Sequence, residues 1–318
     1  MLSLSLGAEV QLFDPREVEA ALSKSDSAHE EGLRKVYRRM LEKGPRRWLS
    51  RPSSAHLLSE LQTQCPNFSD VLSDLVNYIE LSAVGRHGLD VLPILLAGDP
   101  GVGKTHFAKS LAAVLGLPFQ FVSMGTVTAG WVLSGSASSW SGARQGKVAE
   151  GLLDNELANP VVLVDELDKT GGSPQYDPFG ALLQLMERET ARHFKDEFLD
   201  VELDASSVIW LATANDAERI PEYIRSRMVV YHVPAPTAEQ ATVIATSIYN
   251  KHRKAYDWAF APGLSADVLE RLANVPPREM GKRILDAMAR AVRERRTELK
   301  VCDFSVASSG PSRKIGFF

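Results

Sequence analysis

The eight residues "GDPGVGKT", Gly98 to Thr105, combine glycines, a lysine and a hydroxyl at the spacing G-x-x-x-x-G-K-[ST]. That combination handles phosphate. Glycines at 101 and 103 let backbone N–H groups turn inward around phosphate oxygens. Lys104 then reaches the β- and γ-phosphates of a nucleotide, and Thr105 offers its hydroxyl to Mg2+. Asp99, Pro100 and Val102 complete the turn. The apolar run "PILLA" leads into it and "KTHFAKSLAAVLG" follows, with apolar residues at Phe107, Leu111, Val114 and Leu115 and a stop at Gly116. A helix starting there points its positive end at the same phosphates.

A second chemical pair closes "VVLVDELDK", Val161 to Lys169. Four apolar residues bring a buried strand to its C-terminal edge, where ligands bind in parallel sheets. Asp165 at that edge suits Mg2+. Glu166 is placed to polarise an attacking water. "WLATAND" ends in the same way at Asn215, whose amide suits the water or a γ-phosphate oxygen, although Asn is also a common turn residue. In "IPEYIRSRMVVYHVP", Arg225 and Arg227 precede a last strand. Too little chain separates Arg227 from Asn215 to return it to its own nucleotide. It is better placed to stabilise charge on a neighbouring subunit's γ-phosphate, the alternative being a surface salt bridge.

The elements that must hold these residues are legible between about 66 and 235. The apolar runs "VLPILLAG", "FQFVSMG", "VVLVDE", "SVIWLATAN" and "MVVYHVP" alternate with helix-length segments, and they are near-continuous, as in strands buried on both faces. That alternation predicts a parallel α/β sheet. "DPFGALLQLMERET" opens a helix with Asp177 as N-cap and Pro178 in the first turn. After Thr237, which forms a capping box with Gln240, the pattern predicts helices at about 237–256, 265–273 and 277–300 and a small helical domain. The boundaries are a helical extension at 1–60, the α/β domain at 61–235, the helical domain at 236–300 and a strand or tail at 301–318.

Composition narrows the classes. Over 318 residues the charge is −4, with 44% hydrophobic and 24% charged residues, as in an ordinary globular protein rather than one that coats nucleic acid. Two basic stretches, Arg34–Arg47 and Arg290–Lys300, read either as solvated helix faces or as contacts for an acidic partner or phosphates. Cys65 and Cys302 have no metal-ligand spacing and suit a reducing cytosol. No signal peptide and no membrane span is read, so the expected location is the cytoplasm.

Taken together these residues resemble the AAA+ ATPases, and within them the ATPase module of the Lon proteases, over about Phe68 to Arg290. The likeness is densest in "DELDKTGGSPQYDPFGALLQLMERE", "FKDEFLDVELDASSVIWLATAND" and "IPEYIRSRMVV". It implies an α/β fold: a P-loop three-layer sandwich with a central parallel sheet, followed by a small all-helical lid. It implies an ATPase using ATP and Mg2+, with Gly98–Thr105 as Walker A, Asp165 and Glu166 as Walker B, Asn215 as sensor 1, Arg227 as arginine finger and Arg278 in "NVPPREMGK" as sensor 2. "CPNF" would lie near the adenine, with Phe68 against the base. "WSGARQGK" fits the family's pore loop, so Trp140, Ser141 and Gly142 would contact a polypeptide in the channel of a homo-oligomeric ring, a hexamer in the family. Trp140 packed against its own domain is the alternative. Ser141 departs from the hydrophobic residue usual there.

Nothing resembling the Lon protease domain follows the lid; Ser312 and Lys314 in "GPSRK" lack one around them. The expected function is a ring-forming protein remodeller or unfoldase without its own protease. A nucleic-acid-associated motor or loader and a nucleotide-switched scaffold are the alternatives. "KIGFF", with Ile315, Phe317 and Phe318, either tucks onto its own or a neighbouring domain or anchors a partner such as a separate peptidase, as an Ile-Gly-Phe loop does in Clp-type unfoldases.

Overall fold

A computed structural model describes residues 5–25, 30–52, 54–85, 88–125, 131–140, 142–170 and 178–304. The chain opens with β1 (Ser5–Gln11), α1 (Pro15–Lys24), α2 (Glu31–Lys43) and β2 (Arg46–Arg51). It continues through α3 (Ser59–Gln64), α4 (Ser69–Val84), β3 (Ile94–Ala97), α5 (Lys104–Val114), β4 (Phe119–Ser123), α6 (Trp131–Ser134), α7 (Lys147–Leu153) and β5 (Val161–Asp165). Then come α8 (Pro178–Met186), α9 (Arg188–Ala191), β6 (Phe194–Lys195), β7 (Glu202–Leu203), β8 (Ile209–Ala214), α10 (Glu222–Arg225) and β9 (Val229–His232). Three more helices follow: α11 (Ala238–Ala255), α12 (Ala266–Leu272) and α13 (Pro277–Arg293).

The five expected strands form one parallel sheet in the order β4-β5-β8-β3-β9, flanked by helices as a three-layer α/β sandwich. The inner strands β3 and β8 are buried along their whole length, and β5 to its penultimate residue, as their unbroken apolar runs require. The edge strands β4 and β9 are mostly half-exposed, so near-continuous hydrophobicity marks only the centre of the sheet. Because all five strands run the same way, Ala97, Asp165 and Ala214 end at one edge.

The chain divides into two compact units, 1–62 with 68–100 and 104–233, and 63–67 with 101–103 and 234–318. In the first, the lead-in expected to be helical also carries an antiparallel ribbon, β1 on β2. It is not an appendage. Leu12, Phe13, Val18, Leu33, Tyr37 and Met40 share one buried core with Val148, Leu152 and Val201. The Trp48 backbone bonds Glu156 and Ala158, and buried Asn159 donates to Ser50 O (3.0 Å) while accepting from Ser50 N (2.9 Å).

In the second unit, α11 starts at the predicted Thr237–Gln240 capping box. Ala245, Tyr249, Leu272, Met280 and Ile284 build its core. The last helix ends at Arg293, short of the expected 300, and Arg295 takes a left-handed φ of 55°. Val301–Phe304 is a short turn rather than a strand or tail; Asp303 and Phe304 are buried, and Phe304 joins the core. Among the described residues, no helix is long and apolar enough to cross a membrane. The expected roles of Asp177, Ser141 and the Ile315–Phe318 end lie outside the described residues.

Candidate nucleotide site

Gly101 and Gly103 take φ of 89° and 107°, a region that side chains resist, so the turn after β3 has a conformation that glycine adopts without strain. Lys104, the first residue of α5, is 7% exposed. Its Nζ donates to Gly98 O (2.6 Å), Asp99 O (3.0 Å) and Asn215 Oδ1 (3.2 Å). Burial pulls its pKa below the ordinary lysine value, against the opposing charges of Asp168, Asp165, Asp99 and Glu166. All three acceptors are neutral, so an anionic phosphate fits the ammonium better than anything now bonded to it. With its oxygen on Lys104, the Asn215 amide keeps its NH2 group for donation.

The acidic side is built around Thr213, a residue that the sequence reading missed. Its hydroxyl donates to Asp165 Oδ1 (2.7 Å) and accepts the Glu166 N–H (3.0 Å). Thr105 Oγ1 donates to the same Asp165 oxygen at 2.9 Å. Thr105, Asp165 and Thr213 therefore converge as hard oxygen donors, the set that suits Mg2+. A hydroxyl in the otherwise apolar run "IWLATA" was the available signal. Glu166 holds a left-handed backbone (φ 59°), and its carboxylate pairs with Lys169. Asp168, also unremarked in the sequence, accepts the Asp216 N–H at 3.3 Å.

The remaining candidates have partners of their own. Arg227 Nε is 2.7 Å from Glu187 Oε1, and its Nη1 donates to Tyr223 O. Arg225 pairs with Glu218 and Glu222. Within the second unit, a Cβ on Gly101 would lie 3.7 Å from Cβ of Arg278. Phe68 needs correcting as a base contact. It is 2% exposed and lies flat on Phe107, centroids 4.3 Å apart and planes 2° from parallel, so that face of its ring is spent on the protein's own core. Trp140 is 52% exposed on the segment between α6 and α7, and Gly142 is exposed as well.

Residues 94–234 match the family described as ATPase family associated with various cellular activities (AAA). This region is an AAA+ ATPase domain. The chain is 37% identical over 214 residues to the Lon protease of Frankia alni, covering 66% of this chain and 24% of that protein. It is 35% identical over 226 residues to the mitochondrial Lon protease homolog of Bos taurus, covering 70% and 23%. The chain thus spans about a quarter of the length of these relatives. Among solved structures, a closed-state reconstruction of Hsp104 with ATPγS and FITC casein aligns at TM-score 0.61 and 14% identity, over 87% of this chain and 51% of that one. RuvB of Thermotoga maritima, titled a Holliday junction branch migration motor, aligns at 0.51 and 16%, over 80% and 70%. Those two likenesses carry the AAA+ fold and nothing more specific.

Proposed function

We propose that the chain is an ATP-driven protein remodeller that works as a ring of identical subunits and grips polypeptide with the Trp140 loop. The observation that carries this reading is the half-exposed Trp140 on the AAA+ domain: a large aromatic held out of the core, next to an exposed glycine, beyond the second strand of the sheet. Hydrolysis follows from the nucleotide cluster. Lys104 and the Asn215 amide neutralise and orient the phosphates, and Glu166, released from Lys169, accepts a proton from the attacking water. Thr105 and Asp165 are the residues that would hold Mg2+, which when bound offsets phosphate charge. Arg227 is kept on Glu187 and Tyr223, outside the Lys104 cluster, which supports service to a neighbouring subunit.

The basic stretches do not favour a nucleic-acid motor. Arg39 pairs with Asp154, Arg46 with Glu9, and Lys43 with the last carbonyls of α7, while Arg47 is buried. Arg290 and Arg296 hold the Asp303 turn. These charges are engaged within the chain itself.

Subunit mixing tests the reading. Glu166→Gln and Arg227→Ala should each abolish turnover while keeping ATP binding. Mixed, they should regain up to about one quarter of wild-type ATPase, because one interface in four joins an intact Glu166 to an intact Arg227. Two inactive proteins that stay inactive when co-assembled would refute the shared site.

A further inference from the structure

The loop that carries Trp140 has two feet, Gly135 and Gly146, both buried although its tip is exposed. They nearly touch: a Cβ on Gly146 would lie 2.2 Å from Leu133 O and 2.5 Å from Gly135 N. Between the feet the loop is internally tied, Ser136 N to Arg144 O (3.2 Å), Trp140 N to Ala137 O (3.0 Å) and Ala143 N to Trp140 O (3.1 Å). One distant side chain meets both feet. Asp196, from the turn between β6 and β7, is fully buried. Its Oδ2 accepts the Gly146 N–H at 2.7 Å, and its Oδ1 occupies the place where a Cβ on Gly135 would sit, 2.4 Å away. The same Oδ1 accepts the N–H groups of Phe198 (3.0 Å) and Leu199 (3.2 Å), and Glu197 N adds a bond to Ser134 O at 2.7 Å.

A buried carboxylate is costly, so one that bonds Gly146, packs on Gly135 and ties its own turn with its other oxygen is doing a specific task. We propose that Asp196 is the positioning residue of the Trp140 loop, fixing both feet so that the ring meets substrate from a set place. The turn that carries Asp196 is itself fixed from the other side, because Tyr37 of α2 donates to Leu199 O at 2.5 Å. The N-terminal helices thereby reach the Trp140 loop through three residues, Tyr37, Leu199 and Asp196.

This inference rests on the reading of Trp140 as a polypeptide contact, and the experiment separates the two. Asp196→Asn keeps the shape but sets an amide donor against one of the N–H groups. Asp196→Ser keeps an acceptor for the turn and loses the reach to Gly146. Hydrogen exchange across residues 135–146 should accelerate by about tenfold or more in both variants. Stimulation of ATPase by carboxymethylated casein should require about tenfold more casein, with KM for ATP shifted less than about twofold. Unchanged exchange in 135–146 would overturn the proposal; so would a KM for ATP that rises in step with the casein requirement, which is the mark of general structural damage. Trp140→Ala supplies the other arm. Retained casein stimulation there would refute Trp140 as the contact, while the exchange result still decides the role of Asp196.

Discussion

Thr213 is the least conspicuous member of the nucleotide site and the one that joins its two acids. Its hydroxyl meets the side chain of Asp165, which we propose as a Mg2+ ligand, and the backbone of Glu166, which we propose as the base. Thr213→Val preserves shape, strips the acceptor from the Glu166 N–H and frees Asp165 to rotate. We expect ATP affinity to persist and kcat to fall about tenfold or more, the cost of losing a hydrogen bond to a charged group. Steady-state ATPase alongside nucleotide-binding fluorescence checks it, and an unchanged kcat would remove Thr213 from the mechanism. Residues of this kind are hard to read from sequence. Lys104, Asp165 and Glu166 announce themselves by type and spacing, whereas a threonine in a strand is also an ordinary β-former. Phe68 failed in the opposite direction: an aromatic near a nucleotide loop looks like a base platform until its partner, Phe107, is known.

At the level of elements, the inner strands were legible because burial on both faces leaves an unbroken apolar run, and the α11 cap because its two residues are chemically distinctive. The β1–β2 ribbon was not. "RRWLSR" reads as charge, yet Arg47 is buried, with two of its donor bonds running to the carbonyls of Gly44 and Arg46. What locks this ribbon to the sheet is Asn159, which mimics a backbone pair against Ser50. Asn159→Ala leaves a buried Ser50 N–H with no acceptor, and the cost should be about 1–3 kcal/mol. Urea unfolding should show it as a lower midpoint at constant slope. A midpoint unmoved within error would mean that the bridging backbone of Trp48 suffices alone.

For the molecule as a whole, one buried carboxyl in each unit answers acid with opposite sign. In the second, burial pushes the Asp303 carboxyl up, but its bonds from Arg296 (2.7 and 3.0 Å) and Lys300 N (2.8 Å) prevail and hold it below the ordinary value of 3.8. A depressed carboxylate stabilises above its unfolded pKa, and that stability is lost as pH falls through the folded one. In the first unit, burial raises Asp196 to about 6 despite its three N–H bonds, so the folded state there binds the extra proton and gains stability as pH falls from about 6 towards 3.8. Acid titration should therefore unfold the second unit first, seen as loss of Trp258 signal ahead of that of buried Trp210. Asp303→Asn should flatten the acid limb of the earlier transition; simultaneous loss of both signals would contradict the assignment. The second unit also draws on more than its own helices. Asn67 donates to Val102 O (3.3 Å) and Pro234 O (3.1 Å), and Gln240 donates to Pro66 O (3.1 Å), so residues 63–67 and 101–103 belong to it although the chain places them far upstream. For inheritance this means that the lid is not a cassette. A crossover near residue 234 would marry new helices to old fragments at 63–67 and 101–103, and a chimera that exchanges lids between related proteins needs all three pieces from one parent.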